Sequence, residues 1–222
     1  MDEDFQSMSE YEDDTEDIEK DIKDGGKGWP YRSPGIPDVR FIQGGIPMTG
    51  AEVRALTISK LRLKKEHTVC DVGAGTGSVS VEAALMAYQG RVWALEKEQE
   101  GRDLIDKNEQ KFACNNIEII EGRAPESMRD IPPCDRIFIG GSGGRLAEII
   151  SAACNILKPS GRLVINAVTL NTLTTARQEL AEKNCELEIV SLQCARTRKL
   201  GDYDLLSGLN PVFVIAADGC FS

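Results

Sequence analysis

Beyond residue 67 the chain alternates short apolar runs with longer stretches whose apolar positions recur at helical spacing. Runs such as "TVCDV", "RVWALE", "RIFIG" and "RLVINA" read as strands, and the amphipathic stretches between them as helices. The pattern predicts strands over 68–72, 91–95, 117–121, 135–139 and 161–167, and helices over 77–88, 98–112, 144–157 and 172–183. Strands separated by amphipathic helices call for a mostly parallel sheet covered on both faces. Two more apolar stretches, "ELEIVSLQCA" and "NPVFVIAA", lie close together without a helical segment between them. They are expected to form an antiparallel pair at one end of the sheet.

Upstream, "GWPYRSPGIPDVRFIQGGIPMTG" has no periodicity and is rich in glycine and proline, so it reads as an extended arm. Trp29, Tyr31 and Phe41 are expected to pin it to the domain. "TGAE" then has the form of a capping box, with Thr49 as N-cap and Glu52 three residues into a helix. Val53, Leu56 and Leu61 give that helix an apolar side. Three regions result: an acidic, disordered tail over 1–27, the arm over 28–48, and one domain over 49–222.

Charge sharpens this division. Residues 1–24 hold twelve acidic side chains and two lysines, a net of −10 that equals the net charge of the whole chain. The remainder is neutral, so a neutral domain carries an acidic tail with too few apolar residues to order itself. No run of about 18 apolar residues is present, and the acidic start does not resemble a secretory signal. The expected location is the cytoplasm, with no membrane partner. Of seven cysteines, none in a C-x-x-C pair, most sit beside apolar residues, and buried thiols are the expectation. With His67 the sole histidine, neither the usual zinc ligand sets nor a histidine triad can be assembled, and no metal is expected.

The chemistry-bearing stretch is "HTVCDVGAGTGSVSVEAA". Glycines at 73, 75 and 77 lie where a strand turns into a helix, a place where backbone can approach a ligand. The dinucleotide pattern G-x-G-x-x-G fails, because serine stands at 78 and at 80 where its last glycine is needed. The P-loop fails as well, leaving G-x-G-x-G preceded by Asp71. "RVWALEK" ends the second strand in Glu96, 19 residues beyond Gly77, where a carboxylate can accept from both ribose hydroxyls of an adenosine. "IEIIEGRAPE" ends the third strand in a turn that can lie beside an adenine. An adenosyl group without pyrophosphate explains why the third dinucleotide glycine is dispensable. The combination looks like the S-adenosylmethionine site of Rossmann-like class I methyltransferases. That class has an α/β fold built on a mostly parallel seven-stranded sheet with an antiparallel terminal strand.

Five segments narrow the likeness: "GGIPMTGAEVRALTISKL", "VCDVGAGTGSVSVEAA", "EGRAPE", "IFIGGSGG" and "LKPSGRLVINAVTLNTL". Together they resemble the precorrin-6Y/cobalt-precorrin-6B methyltransferase (decarboxylating) family of cobalamin biosynthesis, from about Gly35 to Ala217. The resemblance implies that Thr49, Gly73, Ala74, Gly75, Thr76, Gly77, Glu96 and Ala124 contact S-adenosylmethionine. It also implies a homotetramer and a tetrapyrrole substrate, methylated on carbon 15 and decarboxylated on the carbon 12 acetate. One position departs from the family: the aspartate expected between Gly122 and Ala124 is Arg123, which cannot accept a hydrogen bond from an adenine amino group. No side chain stands out as a catalytic acid or base, and the protein's expected tasks are alignment and a suitable field.

A substrate bearing many carboxylates calls for arginine clamps. Candidates are Arg54 in the first helix, Arg145 after "GGSGG", and Arg196 and Arg198 in "CARTRKL", with Ser142 as a hydrogen-bonding partner. Two rival readings remain at this point. An RNA methyltransferase acting on an adenine ring nitrogen would favour a basic stripe, which the charge balance does not supply. A methyltransferase-like binding scaffold would not need an intact glycine loop together with Glu96.

Overall fold

The computed structural model describes residues 28–219. The acidic tail over 1–27 therefore lies outside the described residues. Five helices surround a seven-stranded sheet: α1 (Ala51–Leu61), α2 (Ser78–Met86), α3 (Gln99–Phe112), α4 (Leu146–Ile156) and α5 (Leu170–Glu182). The sheet contains β1 (Thr68–Val72), β2 (Arg91–Glu96), β3 (Ile117–Glu121), β4 (Cys134–Ile139), β5 (Leu157–Ala167), β6 (Glu186–Leu192) and the last strand among the described residues, Val212–Asp218. Between the last two, β7 (Ala195–Leu200) and β8 (Tyr203–Gly208) form a separate two-stranded ribbon, so the last strand is β9. The order β3-β2-β1-β4-β5-β9-β6 is parallel except for β9, which runs antiparallel to both β5 and β6. This is the class I methyltransferase arrangement expected above.

Period-two alternation divides the core. Val72, Ile137, Ile139, Leu163 and Ile165 face α4 and α5, where Ile149, Ile150 and Leu180 meet them. Val69, Phe138, Val164 and Val214 face the other way, against Ile58, Val79, Ile105 and Phe112 of α1, α2 and α3. Burial on both faces is why the strands read as nearly continuous apolar runs. Among the described residues no helix is long and apolar enough to cross a membrane.

Several boundaries differ from expectation. α4 begins at Leu146 because Gly143 and Gly144 hold left-handed backbone, with φ of 54° and 85°. β5 starts at Leu157, directly after α4, and the "KPSG" turn is absorbed as an irregularity before pairing resumes at Arg162. The ribbon was not foreseen, since strands exposed on both faces carry no apolar period. Nor does the capping box form: Gly50 caps α1 without a side-chain bond, and Glu52 turns outward to accept from Arg196 Nε at 2.9 Å.

The arm is seated by one buried ion pair. Arg54 in α1 is fully buried, and its Nε donates to Glu82 Oε1 of α2 at 2.6 Å. The same carboxylate accepts from Gly35 N and Ile36 N, each at 2.9 Å. Arg54 also reaches Asp38 Oδ1 at 3.2 Å and the carbonyls of Ile36 and Thr49, and it lies 4.6 Å from the Phe41 ring centroid. Phe41 packs in turn on Phe112 at 4.8 Å. Of the aromatics expected to pin the arm, Tyr31 does not: it is 44% exposed and meets Trp29 edge-on. Arg54 likewise cannot clamp a substrate. Each of its guanidinium nitrogens is bonded to the protein, and its side chain is fully buried.

Breaking such a pair strands a charge in the core, at a cost of about 3–5 kcal/mol. Glu82→Ala is expected to lose that much in urea unfolding, because it also frees the Gly35 and Ile36 amides. A loss below about 1 kcal/mol would mean that the arm's other contacts hold it without this pair.

Candidate active site

The order of the sheet reverses at β1, whose neighbours β2 and β4 lead to opposite edges, and clefts in open α/β sheets form at that point. Here the strand-end carbonyls bind the loops of their neighbours. Leu95 O accepts from Gly73 N at 2.9 Å and Ala74 N at 3.1 Å, while Val72 O accepts from Gly140 N at 3.0 Å and Gly141 N at 3.3 Å. Gly122 N donates to Glu96 O at 3.3 Å. The loops after β1, β2, β3 and β4 are thereby joined across the top of the sheet.

Two glycines are dictated by this closeness. Gly73 has φ of 74°, and a Cβ there would lie 2.9 Å from Gly141 O and 3.0 Å from Gly141 N. Those are backbone atoms that cannot swing aside. Gly77, with φ of 76°, caps α2, and its Cβ would meet Ile105 Cγ1 at 3.0 Å.

Glu96 is buried, and each of its oxygens has one protein partner. Oε2 accepts from Gly75 N at 2.9 Å and Oε1 from Glu98 N at 2.9 Å. A second lone pair on each oxygen remains for a ligand hydroxyl. Glu96 is therefore both the post that holds the glycine loop and an acceptor beside it.

Asn108 plays a part that sequence reading missed. It is fully buried on α3; Oδ1 accepts from Ile42 N at 2.7 Å, and Nδ2 donates to Ile42 O at 3.0 Å and Thr76 O at 2.9 Å. It ties the arm to the glycine loop. A polar residue in the stripe Leu104, Asn108, Phe112 is the signal that marks it.

Two clefts flank the loop. The first, about 280 Å³, is lined by Gly73, Gly75, Leu95, Glu96, Arg123, Ala124 and the 140–143 loop with Ser142. The second, about 330 Å³, is lined by Met48, Thr49, Ala74, Thr76, Phe138, Asn166 and Val168. Both touch Pro47, Gly73, Gly75 and Gly140, so they meet over the glycine loop. In chemical terms the first offers bare backbone, an acceptor carboxylate and the apolar Val72, Leu95 and Ile149, a set that suits an adenosyl group. Among the described residues no ionisable side chain lines the second.

The candidate residues are thus partly gathered. Gly73, Gly75, Glu96, Ala124 and Ser142 line the first cleft; Thr49, Ala74 and Thr76 line the second. Gly77 lines neither and serves the helix start. Arg145 lies at the start of α4, engaged by Glu126 Oε2 at 2.8 Å and by Glu148, which holds its charge satisfied away from both clefts. Arg196 on the ribbon is engaged by Glu52 and by Asp38 Oδ2 at 2.9 Å, and it lies 3.5 Å from where a Cβ on Gly50 would sit, at the rim of the second cleft. Arg198 is exposed on the ribbon and lines neither cleft. Burial pushes the Cys114 and Cys134 thiols up to about 12, so they act as core groups.

Comparison with known proteins gives a consistent match. A family model described as the precorrin methyltransferase domain matches residues 40–217. The probable cobalt-precorrin-6B C(15)-methyltransferase (decarboxylating) of Pyrobaculum calidifontis is 42% identical over 192 residues, covering 85% of this chain and 98% of that one. Among solved structures, precorrin-6y C5,15-methyltransferase from Geobacter metallireducens superposes with a TM-score of 0.80 at 42% identity, covering 83% of this chain and 98% of its own. The C-terminal domain of precorrin-6Y C5,15-methyltransferase from Rhodobacter capsulatus gives 0.75 at 29% identity, covering 85% and 99%.

Asp71, just before the glycine loop, is fully buried and accepts from Ser80 Oγ at 2.5 Å through Oδ2, while Oδ1 has no partner. Burial pushes its carboxyl up to about 7, the Ser80 bond opposes this, and the nearby Glu96 charge adds to it. The folded protein therefore keeps a proton that the unfolded chain releases in the ordinary carboxylate range. Stability is expected to fall as pH rises from about 4 to about 7. Asp71→Asn should flatten that part of a denaturant-unfolding profile. An unchanged slope would assign the pH dependence to other groups.

Proposed function

The chain belongs to the precorrin methyltransferase family, and on that premise we propose that it methylates carbon 15 of a late precorrin with S-adenosylmethionine, coupled to decarboxylation. The observation that carries the reading is the meeting of two chemically unlike clefts over one glycine loop. The first takes the methyl donor: Glu96 accepts the ribose hydroxyls, Gly73 to Gly75 bring bare backbone to the ligand, and Ala124 lies beside the adenine. The second takes the edge of the tetrapyrrole. Thr49, Ala74 and Thr76 lie on this side, close to the transferred methyl group.

When bound, S-adenosylmethionine supplies an electrophilic methyl group on a positive sulfur. The protein's own work is orientation. Met48, Phe138 and Val168 supply an apolar bed, and Asn166 a polar one, for a flat conjugated ring. Among the described residues no ionisable side chain lines that bed, so the proposal assigns proton exchange with the ring to water. Alignment lowers the barrier instead; the electron pair left by carbon dioxide is delocalised into the conjugated ring and then takes a proton from water, which balances the proton released when the ring carbon is methylated. The carboxyl group lost is that of the carbon 12 acetate. A substrate carboxylate that reaches past Gly140, which both clefts share, is received by Ser142 and the amides of its loop; Arg198, which lines neither cleft, is left for a carboxylate that projects beyond them.

The same proposal includes a homotetramer and action in the cytoplasm. Exposed Tyr203, Leu206 and Leu209 on and after the ribbon support self-association. The proposed catalytic unit is the domain over 49–222 with its arm, supported by the family match over 40–217; the tail over 1–27 lies outside that match, and the proposal gives it no role in the chemistry. Relatives at 42% identity favour this reading over an RNA methyltransferase.

Mass spectrometry after one turnover with a late precorrin tests it. Gain of a methylene equivalent and loss of carbon dioxide should leave the product about 30 Da lighter, with labelled methyl on carbon 15. A product about 14 Da heavier would retain the methyl transfer and remove the decarboxylation.

A further inference from the structure

Arg123 stands where the family resemblance expects an aspartate, and neither the fold nor the reaction described so far makes use of it. Its backbone is fixed from both sides. Gly122 N donates to Glu96 O at 3.3 Å, and Arg123 O accepts from Ser127 N at 3.0 Å. Its side chain is exposed, lines the first cleft, and donates no hydrogen bond to a described residue. Within the described residues its charge is felt by Glu98, weakly. The guanidinium reaches across the cleft mouth: a Cβ placed on Gly143 would lie 3.7 Å from Nη2. A planar group on a fixed backbone thus spans the gap between the turn after β3 and the loop after β4, with apolar Leu95 lining the cleft.

We propose that Arg123 lays its guanidinium over the face of the adenine ring, roofing the cofactor cleft and setting its selectivity for the base. This rests on the reading of that cleft as the S-adenosylmethionine site. A guanidinium is flat and weakly hydrated, and it stacks on π faces where an ammonium does not. Placed at the adenine end, it is remote from the cationic sulfur, which lies toward the second cleft, so like-charge repulsion is small. A roof of this kind reads the ring's face. A carboxylate would instead accept from the 6-amino group and reward its presence. This chain therefore holds the base by its surface and discriminates little at position 6.

Titration calorimetry on the full chain tests this with S-adenosylhomocysteine and its analogue lacking the 6-amino group. The unaltered protein should bind both within about twofold, and Arg123→Ala should weaken both by about tenfold. Arg123→Lys should recover less than half of that loss, because charge without a plane cannot stack. Arg123→Asp should prefer the 6-amino ligand by about fivefold or more. Equal affinities for the unaltered protein and Arg123→Ala would make Arg123 a solvated surface charge and overturn the proposal. Strong discrimination by the unaltered protein would overturn the selectivity claim. No binding of S-adenosylhomocysteine by the unaltered protein would instead refute the cofactor cleft, and the roof with it.

Discussion

A guanidinium sealed from water, that of Arg54, joins the segments from which both clefts are built. It bonds to Glu82 of α2, to Asp38 and the Ile36 carbonyl of the arm, and to the Thr49 carbonyl at the entrance to α1. Desolvating the two charges costs several kcal/mol, and the pair is tolerable because nearly every donor and acceptor in it is engaged. What the pair provides is position. The arm must run from Gly35, held on Glu82, past Ile42, held on Asn108, to Pro47, whose carbonyl lies 3.5 Å from where a Cβ on Gly75 would sit. Without that path Ile46 to Thr49 would not wall the clefts. The stretch that looks least structured in the sequence is thus part of the site.

The parallel core and the glycine loop were legible because local chemistry dictates them. Strands buried on both faces read as apolar runs, and a close backbone approach leaves a glycine wherever a Cβ would collide, as at Gly73. Glu96 was legible for the same reason, as an acid at a strand end. Contacts made at long range were not legible. Arg54 meets Glu82 across 28 positions, Asn108 meets Ile42 across 66, and Arg196 meets Glu52 across 144. No periodicity reports such pairings. Arginines chosen as substrate clamps by residue type were in two cases already engaged by pairs of carboxylates, and in a third buried outright. The ribbon escaped because neither of its faces is covered.

The two clefts divide the work by polarity. Glu96, Lys97 and Arg123 place the ionisable groups around the first, the cleft proposed above for a cofactor with hydroxyls, a base and a carboxylate. The second presents methyl, aromatic, hydroxyl and amide groups only. On the reading proposed above, a sulfonium held beside such a surface would be poorly screened, which would favour transfer of its methyl group. Thr57 Oγ1 lies 2.8 Å from Val53 O and 3.1 Å from Asn166 Oδ1, so the amide of this bed has a partner on α1 that fixes it.

A crystal structure of the chain soaked with S-adenosylhomocysteine tests this division most directly. The ribose hydroxyls should lie on the Glu96 carboxylate, the base beside Ala124, and the sulfur over Gly73 to Gly75, facing Asn166 and Phe138 in the second cleft. A ligand whose sulfur faces away from that cleft would contradict the arrangement. So would one seated elsewhere, as in the cavity beside Trp29 and Tyr88.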